Sequence, residues 1–220
     1  MINLSFAITV CNEAFELNRL LNQILDSVIK GDEVVIQMDQ DKVTEDVLQV
    51  VSDFEGKYNG SNSRKKVQIL NTVKTLFPLD NNFAEFKNNV KKHCTKDYIY
   101  FIDADEEVNK NQIDTTRQII EMNSTVECFL VPRINTVDGL TERHINQWGW
   151  KVTEEGWINF PDYQYRICKN TPEIKWEGKV HEKLVGYKQM ALFPAEPSVA
   201  LQHHKSIQKQ ELQNNFYNTI

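Results

Sequence analysis

Residues 98–108 read Tyr-Ile-Tyr-Phe-Ile-Asp-Ala-Asp-Glu-Glu-Val. Five aromatic or β-branched residues are followed at once by four acids in five positions. Such an apolar run predicts a buried strand. The acids then sit at its C-terminal tip, where open α/β sheets bind ligands. Asp103 and Asp105 are two apart, so on an extended chain their side chains leave on the same side. Two converging carboxylates repel unless something positive stands between them. A divalent ion with oxygen ligands, Mg2+ or Mn2+, that in turn holds a phosphate meets that need. The competing reading is a strand that simply runs into an acidic, solvated turn.

Working outward, Leu4–Val10 is a second apolar strand, broken by Cys11-Asn12-Glu13. Glu13–Lys30 has helical spacing, with Leu17, Leu20, Leu21, Ile24, Leu25 and Val28 on one face. Gly31-Asp32 stops that helix. Glu33–Met38 is a strand ending in Asp39-Gln40-Asp41, Thr44–Phe54 a helix, residues 56–64 a loop, Val67–Asn71 a short strand and Asn82–His93 a helix. This alternation predicts one α/β domain with a mainly parallel sheet flanked by helices. Asn12-Glu13, Asp39 and Asp103 then lie along one edge, where a nucleotide would sit.

Ile113–Met122 is a further helix and Val126–Pro132 a further strand. Beyond Pro132 the periodicity fades, and Trp148, Trp150 and Trp157 fall within residues 132–161. That stretch reads as short strands and loops around a pocket. Its aromatics serve either as ordinary core or as a platform for the flat face of a sugar ring. The expected organisation is a single domain, with a nucleotide-binding half over 1–108, an acceptor-side half over 109–205 and a polar C-terminal helix over 206–220.

The chain has 220 residues, 40% hydrophobic and 25% charged. That is ordinary globular composition, and at this length folding buries about 70% of the unfolded surface. Four scattered cysteines without a Cys-x-x-Cys pair disfavour zinc ribbons and disulfide scaffolds and fit a reducing, cytoplasmic setting. Neither a leader peptide nor a transmembrane segment is expected. The net charge of −6 disfavours bulk binding to nucleic acid. Residues 56–96, however, carry nine basic and two acidic side chains, which is +7 and leaves −13 elsewhere. This segment is either a solvated helix and loop or an anion-facing surface beside a phosphate site.

No Gly-x-Gly-x-x-Gly and no Gly-Lys-Ser/Thr occurs, which disfavours dinucleotide and P-loop enzymes. Asp39 can accept from a base or ribose, or can simply form a turn. His181-Glu182 offers a metal ligand or proton carrier beside a carboxylate base. His203-His204 follows an apolar run and either completes a metal shell, neutralises a phosphate or begins an exposed helix.

Four stretches in order resemble the family 2 glycosyltransferases of the GT-A fold. Phe6–Glu13 resembles their opening strand and Asn-Glu turn. Val34–Asp41 resembles their second strand with its base-binding Asp. Asn82–Asn88 with Ile99–Glu106 resembles the Phe-Ala-Glu-x-Arg-Asn … Asp-Ala-Asp-Glu block of one branch. Pro161–Arg166 with Gly178–Glu182 resembles that branch's Val-His-Glu region. Two positions depart from the pattern: Lys87 stands where Arg is common, and Asp39-Gln40-Asp41-Lys42 replaces Asp-Asp-Gly-Ser.

The resemblance implies a nucleotide-sugar donor, most often a UDP-sugar, and inverting, metal-dependent transfer to a hydroxyl. Thr9, Asn12, Glu13, Asp39, Lys87 and Asp103 would hold the donor. Asp103, Asp105 and His203 would hold Mn2+ or Mg2+, with His204 the second choice. Glu182 would be the base, Asp162 the reserve and His181 its neighbour. A glycan is the expected acceptor, with a protein side chain or a modified base in DNA as the others. Two rival classes remain: an Asp-x-Asp phosphatase, which wants Thr or Val where Glu107 stands, and a sugar-nucleotide-binding module without catalysis.

Overall fold

The computed structural model describes residues 2–58 and 71–217. Its frame is a sheet that begins with β1 (Leu4–Val10), β2 (Glu33–Asp39), β3 (Asn71–Phe77) and β4 (Tyr98–Asp103), ordered β3-β2-β1-β4 and all parallel. β1, β2 and β4 are buried along almost their whole length. Burial on both faces explains why each reads as a continuous apolar run.

The two faces feed two cores. Phe6, Ile8, Val34, Ile36, Tyr100 and Ile102 pack on one side, with Leu17, Leu20, Leu21 and Ile24 of α1 (Ala14–Leu25), Val47, Val51 and Phe54 of α2 (Glu45–Tyr58) and Ile113 and Ile120 of α4 (Lys110–Met122). Ala7, Val35, Ile99 and Phe101 pack on the other, with Ala84 and Val90 of α3 (Phe83–Lys92) and with Trp176 and Leu184. Those last two belong to a hairpin of β8 (Lys175–Glu177) and β9 (Lys183–Val185). Gly31 permits the tight entry into β2: its φ is +104°, and a Cβ there would lie 2.4 Å from the Asn3 side chain.

Past β4 the chain departs from strict alternation. β5 is only Glu106–Glu107. β6 (Cys128–Asp138) pairs antiparallel with β7 (Ile158–Lys169), and β7 pairs antiparallel with β4. β10 (Met190–Leu192) and β11 (Leu201–Ser206) both run parallel to β6, and β11 also pairs antiparallel with β5. α5 (Glu142–Trp148) bridges β6 and β7, and α6 (Ile207–Tyr217) follows β11.

Several elements differ from the sequence expectation. The third strand occupies 71–77 at the edge of the sheet, where half-buried and exposed side chains alternate from Val73 to Phe77. Of the expected Val67–Asn71 strand, residues 67–70 lie outside the described residues, as do 59–64 of the expected loop. The first helix ends at Leu25, short of Lys30. β6 continues through Pro132, whose missing N–H the strand tolerates next to a register shift. The stretch expected as short strands and loops contains the end of that long strand and a short helix. His203 and His204 lie on β11, not at a helix start, because period-2 alternation buries Leu201, His203 and Lys205 on one side.

Candidate functional site

The C-terminal ends of β1, β2 and β4 open onto a cleft of about 690 Å³. Thr9, Glu13, Asp39, Lys87, Asp103, Asp105, Asp162, His181, Glu182 and His203 all line it. Asn12 does not; it is exposed, and its backbone N–H donates to Glu13 Oε2. Glu13 is largely committed to its own turn, since the same oxygen also accepts from the Cys11 N–H.

Asp39 is buried and does form a turn, with Oδ1 accepting from the Asp41 and Leu79 N–H groups. The Cys11 thiol donates to its Oδ2, and burial, with Glu13 and Asp39 close by, pushes that thiol up to about 11. Cys11 is therefore held as a protonated side chain in the cleft wall.

Asp103 sits opposite Thr9 in the β1–β4 register. Thr9 Oγ1 donates to its Oδ1 at 3.1 Å, Arg166 Nη2 donates to its Oδ2 at 2.7 Å, and Lys87 Nζ lies 3.5 Å from Oδ1. Burial works against ionisation here, but Arg166, Lys87 and Arg133 outweigh it and hold the carboxyl well below the usual range. Asp105 follows in a turn and faces elsewhere: its Oδ2 is 3.3 Å from His203 Nε2 and 3.5 Å from Lys205 Nζ. Burial again opposes ionisation, and His203 and Lys205 again overcome it, so this carboxyl is also lowered. Burial lowers His203 despite Asp105. The two acids thus do not share one cation in this arrangement, because the strand ends at Asp103 and the turn redirects Asp105.

Lys87 comes from α3, whose N-cap Asn82 accepts from the Glu85 N–H. It is almost fully buried, lies over the Trp176 ring at 4.8 Å and donates to Glu182 Oε1 at 2.7 Å. It therefore links Asp103 to Glu182. Glu182 lies in the turn between β8 and β9, where His181 adopts a left-handed φ of 56°. That backbone state is uncommon outside glycine, and it lets neighbouring His181 and Glu182 both reach the cleft, which a regular strand would forbid. The Phe83 N–H donates to the Lys179 carbonyl and ties this turn to the start of α3.

Four further residues at the site carried no assigned role in the sequence reading. Arg166 on β7, buried, and Arg133 on β6, half-buried, are both held by Glu106, a fully buried carboxylate that accepts from each. Glu106 Oε2 also accepts the Asp103 N–H at 3.1 Å. Glu106, to which the sequence reading gave no role, is the centre of the ion network. The signal was in the sequence: Arg133 and Arg166 interrupt strand segments, and a buried guanidinium demands a carboxylate partner. Lys205, the third, shared its strand face with His203. Asn135, the fourth, contacts both His203 and Asp162.

Asp162 is engaged on every side: Arg133 donates twice to Oδ2, Asn135 once, and Gln164 donates to Oδ1. Burial raises its pKa, but Arg133 and the amides lower it further, so a stabilised anion results and not a receptive base. Of the described lysine side chains in 56–96, only Lys87 lines the cleft; the side chains at 57, 64, 65 and 66 lie outside the described residues.

The implied divalent ion can be tested against these side chains. No group of three or more His, Cys, Asp or Glu side chains converges among the described residues. Asp105 Oδ2 and His203 Nε2 supply one oxygen and one nitrogen donor 3.3 Å apart. Neighbouring ligands of an octahedral ion with bonds of about 2.1 Å sit about 3 Å apart, and such ions take their remaining ligands from water and substrate phosphates. The pair fits a site completed by substrate.

The Glycosyl transferase family 2 model matches residues 5–174, which include both acids, both arginines and Lys87. The chain belongs to that family. Among solved structures it is similar to S. aureus TarS 1-349 in complex with UDP-GlcNAc, with a TM-score of 0.62 at 14% identity over 93% of this chain and 59% of that one. TarS 1-349 alone gives 0.61 at 13% identity, over 92% and 60%. The chain spans 37% of full TarS. At such identity the likeness is one of fold, a single α/β domain with a mostly parallel sheet flanked by helices. No curated protein matches the sequence. Among the described residues no helix is long and apolar enough to cross a membrane.

Proposed function

We propose that this family 2 glycosyltransferase moves a sugar from a nucleotide-sugar donor, a UDP-sugar by preference, to a hydroxyl of an acceptor. One observation carries the reading. A single cleft at the strand ends brings the Thr9–Asp103–Arg166 cluster, the Asp105–His203 pair and the Lys87–Glu182 pair together. TarS, whose fold the chain shares, has been solved with UDP-GlcNAc.

In this scheme Thr9, Asp39 and Asp103 face the nucleoside, and Asp105 with His203 would hold Mn2+ or Mg2+. When bound, that ion supplies positive charge to the departing diphosphate. Lys205 adds a fixed ammonium beside the same carboxylate. Glu182 takes the proton from the acceptor hydroxyl, and Lys87 holds its carboxylate in place in the cleft. Attack from the Glu182 side, opposite the leaving diphosphate, inverts the anomeric centre. Asp162 holds Arg133 and Asn135 and is not the base. The acceptor is a glycan or another hydroxyl-bearing molecule. The described basic side chains of 56–96 other than Lys87 do not line the cleft and lend a DNA acceptor no support. Family membership likewise leaves the phosphatase reading without support.

A thermal-shift panel of nucleotides and nucleotide sugars with and without Mn2+ tests the proposal. A ligand at a hundredfold excess over its Kd stabilises by about 2.7 kcal/mol. Stabilisation by UDP-sugars that requires Mn2+ supports the reading; no response to any nucleotide sugar overturns it.

A further inference from the structure

Strand register places three cleft residues in a row. Arg133 on β6 is the Cα partner of Asp162 on β7, and Asn135, two residues on, is the Cα partner of His203 on β11. Side chains at 133 and 135 share a face, so Asn135 lies between Asp162 and His203. Its Nδ2 donates to Asp162 Oδ2 at 2.8 Å, and its Oδ1 is 2.7 Å from His203 Nδ1.

The orientation of that amide is dictated. Asp162 is an anion under two Arg133 donors and can only accept. The reverse rotamer would set the amide oxygen against a carboxylate oxygen, so the amino end must face Asp162. The amide oxygen that faces His203 has no proton to give, and Nδ1 must therefore carry one. That leaves Nε2, 3.3 Å from Asp105 Oδ2, as the ring nitrogen whose lone pair a cation bound at that carboxylate can take. Metal-ligating histidines are commonly oriented in this way, by donating the second ring N–H to a protein acceptor.

We infer that Asn135, itself aimed by Asp162, is the positioning residue that makes Nε2 the ring nitrogen His203 presents to a divalent cation at Asp105. The inference rests on the metal reading of Asp105 and His203 above. It assigns Asp162 a task two contacts away from His203. It also connects the two halves of the site, because the Arg133 that fixes Asp162 donates to Glu106 as well, and Glu106 holds the Arg166 bound to Asp103.

The chain has five histidines, so side-chain 15N spectra of histidine-labelled protein can resolve His203. In metal-free wild type at pH 8 the proton is expected on Nδ1. Asn135→Leu removes the acceptor and should move the proton to Nε2, against Asp105, and weaken Mn2+ binding with UDP present by about 10–100-fold. The exchange Asn135→Asp with Asp162→Asn restores one donor and two acceptors in reversed order. It should return both the tautomer and most of the Mn2+ affinity, which a purely structural role would not do. Thermal midpoints identify any variant that fails to fold, and the wild-type spectrum decides without variants. A wild-type His203 protonated on Nε2 alone, or a folded Asn135→Leu protein with unchanged tautomer and Mn2+ affinity, overturns the inference. The metal reading fails separately, if Asp105→Asn and His203→Ala bind Mn2+ as tightly as wild type.

Discussion

At the N-terminal end of β1, Asp32 and Arg117 form a bidentate pair at 3.1 and 2.6 Å. Asp32 also accepts the Leu4 and Ile29 N–H groups, and Arg117 donates to the Ile2 carbonyl. Both are almost fully buried, and neither lines the cleft. At the C-terminal end of the same strand, Asp103 meets Arg166 at 2.7 Å, yet its side chain stays 30% exposed and faces the cleft. The chemistry is the same at both ends, but only one end leaves the anion reachable. The closed pair fastens the helix α4 to the start of the sheet. The open one holds cations and carboxylates in place where a ligand can exchange with them. Pre-set charge of this kind costs stability that packing elsewhere offsets, and it suits a site that must meet a diphosphate.

The contrast can be broken from either side. At the open end, Glu182→Gln should lower kcat by about 10²–10⁴-fold while donor Kd stays within a few-fold, because the amide cannot take a proton. Steady-state rates beside a binding titration check it. At the closed end, Arg117→Met should cost about 3–5 kcal/mol of stability by leaving Asp32 buried and unpaired. Urea unfolding reads that loss, and the folded fraction should bind donor normally. Glu33, fully buried, gives a smaller effect. Burial opposes its ionisation, but Ser5 and Thr95 outweigh it, with Lys96 adding to them, so its folded pKa is lowered. Its contribution is then present above the unfolded value of about 4.3 and lost as pH falls through the lowered folded value. The stability advantage of wild type over Glu33→Gln should shrink between pH 5 and pH 3. Least of all, Lys74→Ala removes an exposed pair with Glu55 and should change stability by less than about 1 kcal/mol.

What the sequence made legible follows the same division. β1, β2 and β4 are buried on both faces, so their apolar runs announced them, and the acid after Ile102 marked the open end. β3 was displaced because Asn71, Thr72, Lys74 and Thr75 make this edge strand polar, and the more apolar Val67–Asn71 drew the assignment. β11 was hidden because its buried face is Leu201, His203 and Lys205, and two polar residues at period 2 look like a surface. Arg133, Asn135, Arg166 and Glu106 went without roles because each is functional only through a partner on another strand. Register, set by antiparallel pairing of β7, is what joins them, and nothing local in the sequence encodes it. Asp162 looked like a free carboxylate for the same reason.

The central claim is that the open cluster is the donor site. Calorimetric titration of UDP with Mn2+ into wild type, Asp103→Asn and Arg117→Met tests it most directly. The account expects binding by wild type, binding of similar affinity by the folded Arg117→Met protein, and a loss of about 100-fold or more in Asp103→Asn. Equal UDP affinity in Asp103→Asn and wild type, or no binding by wild type with Mn2+ present, would contradict it.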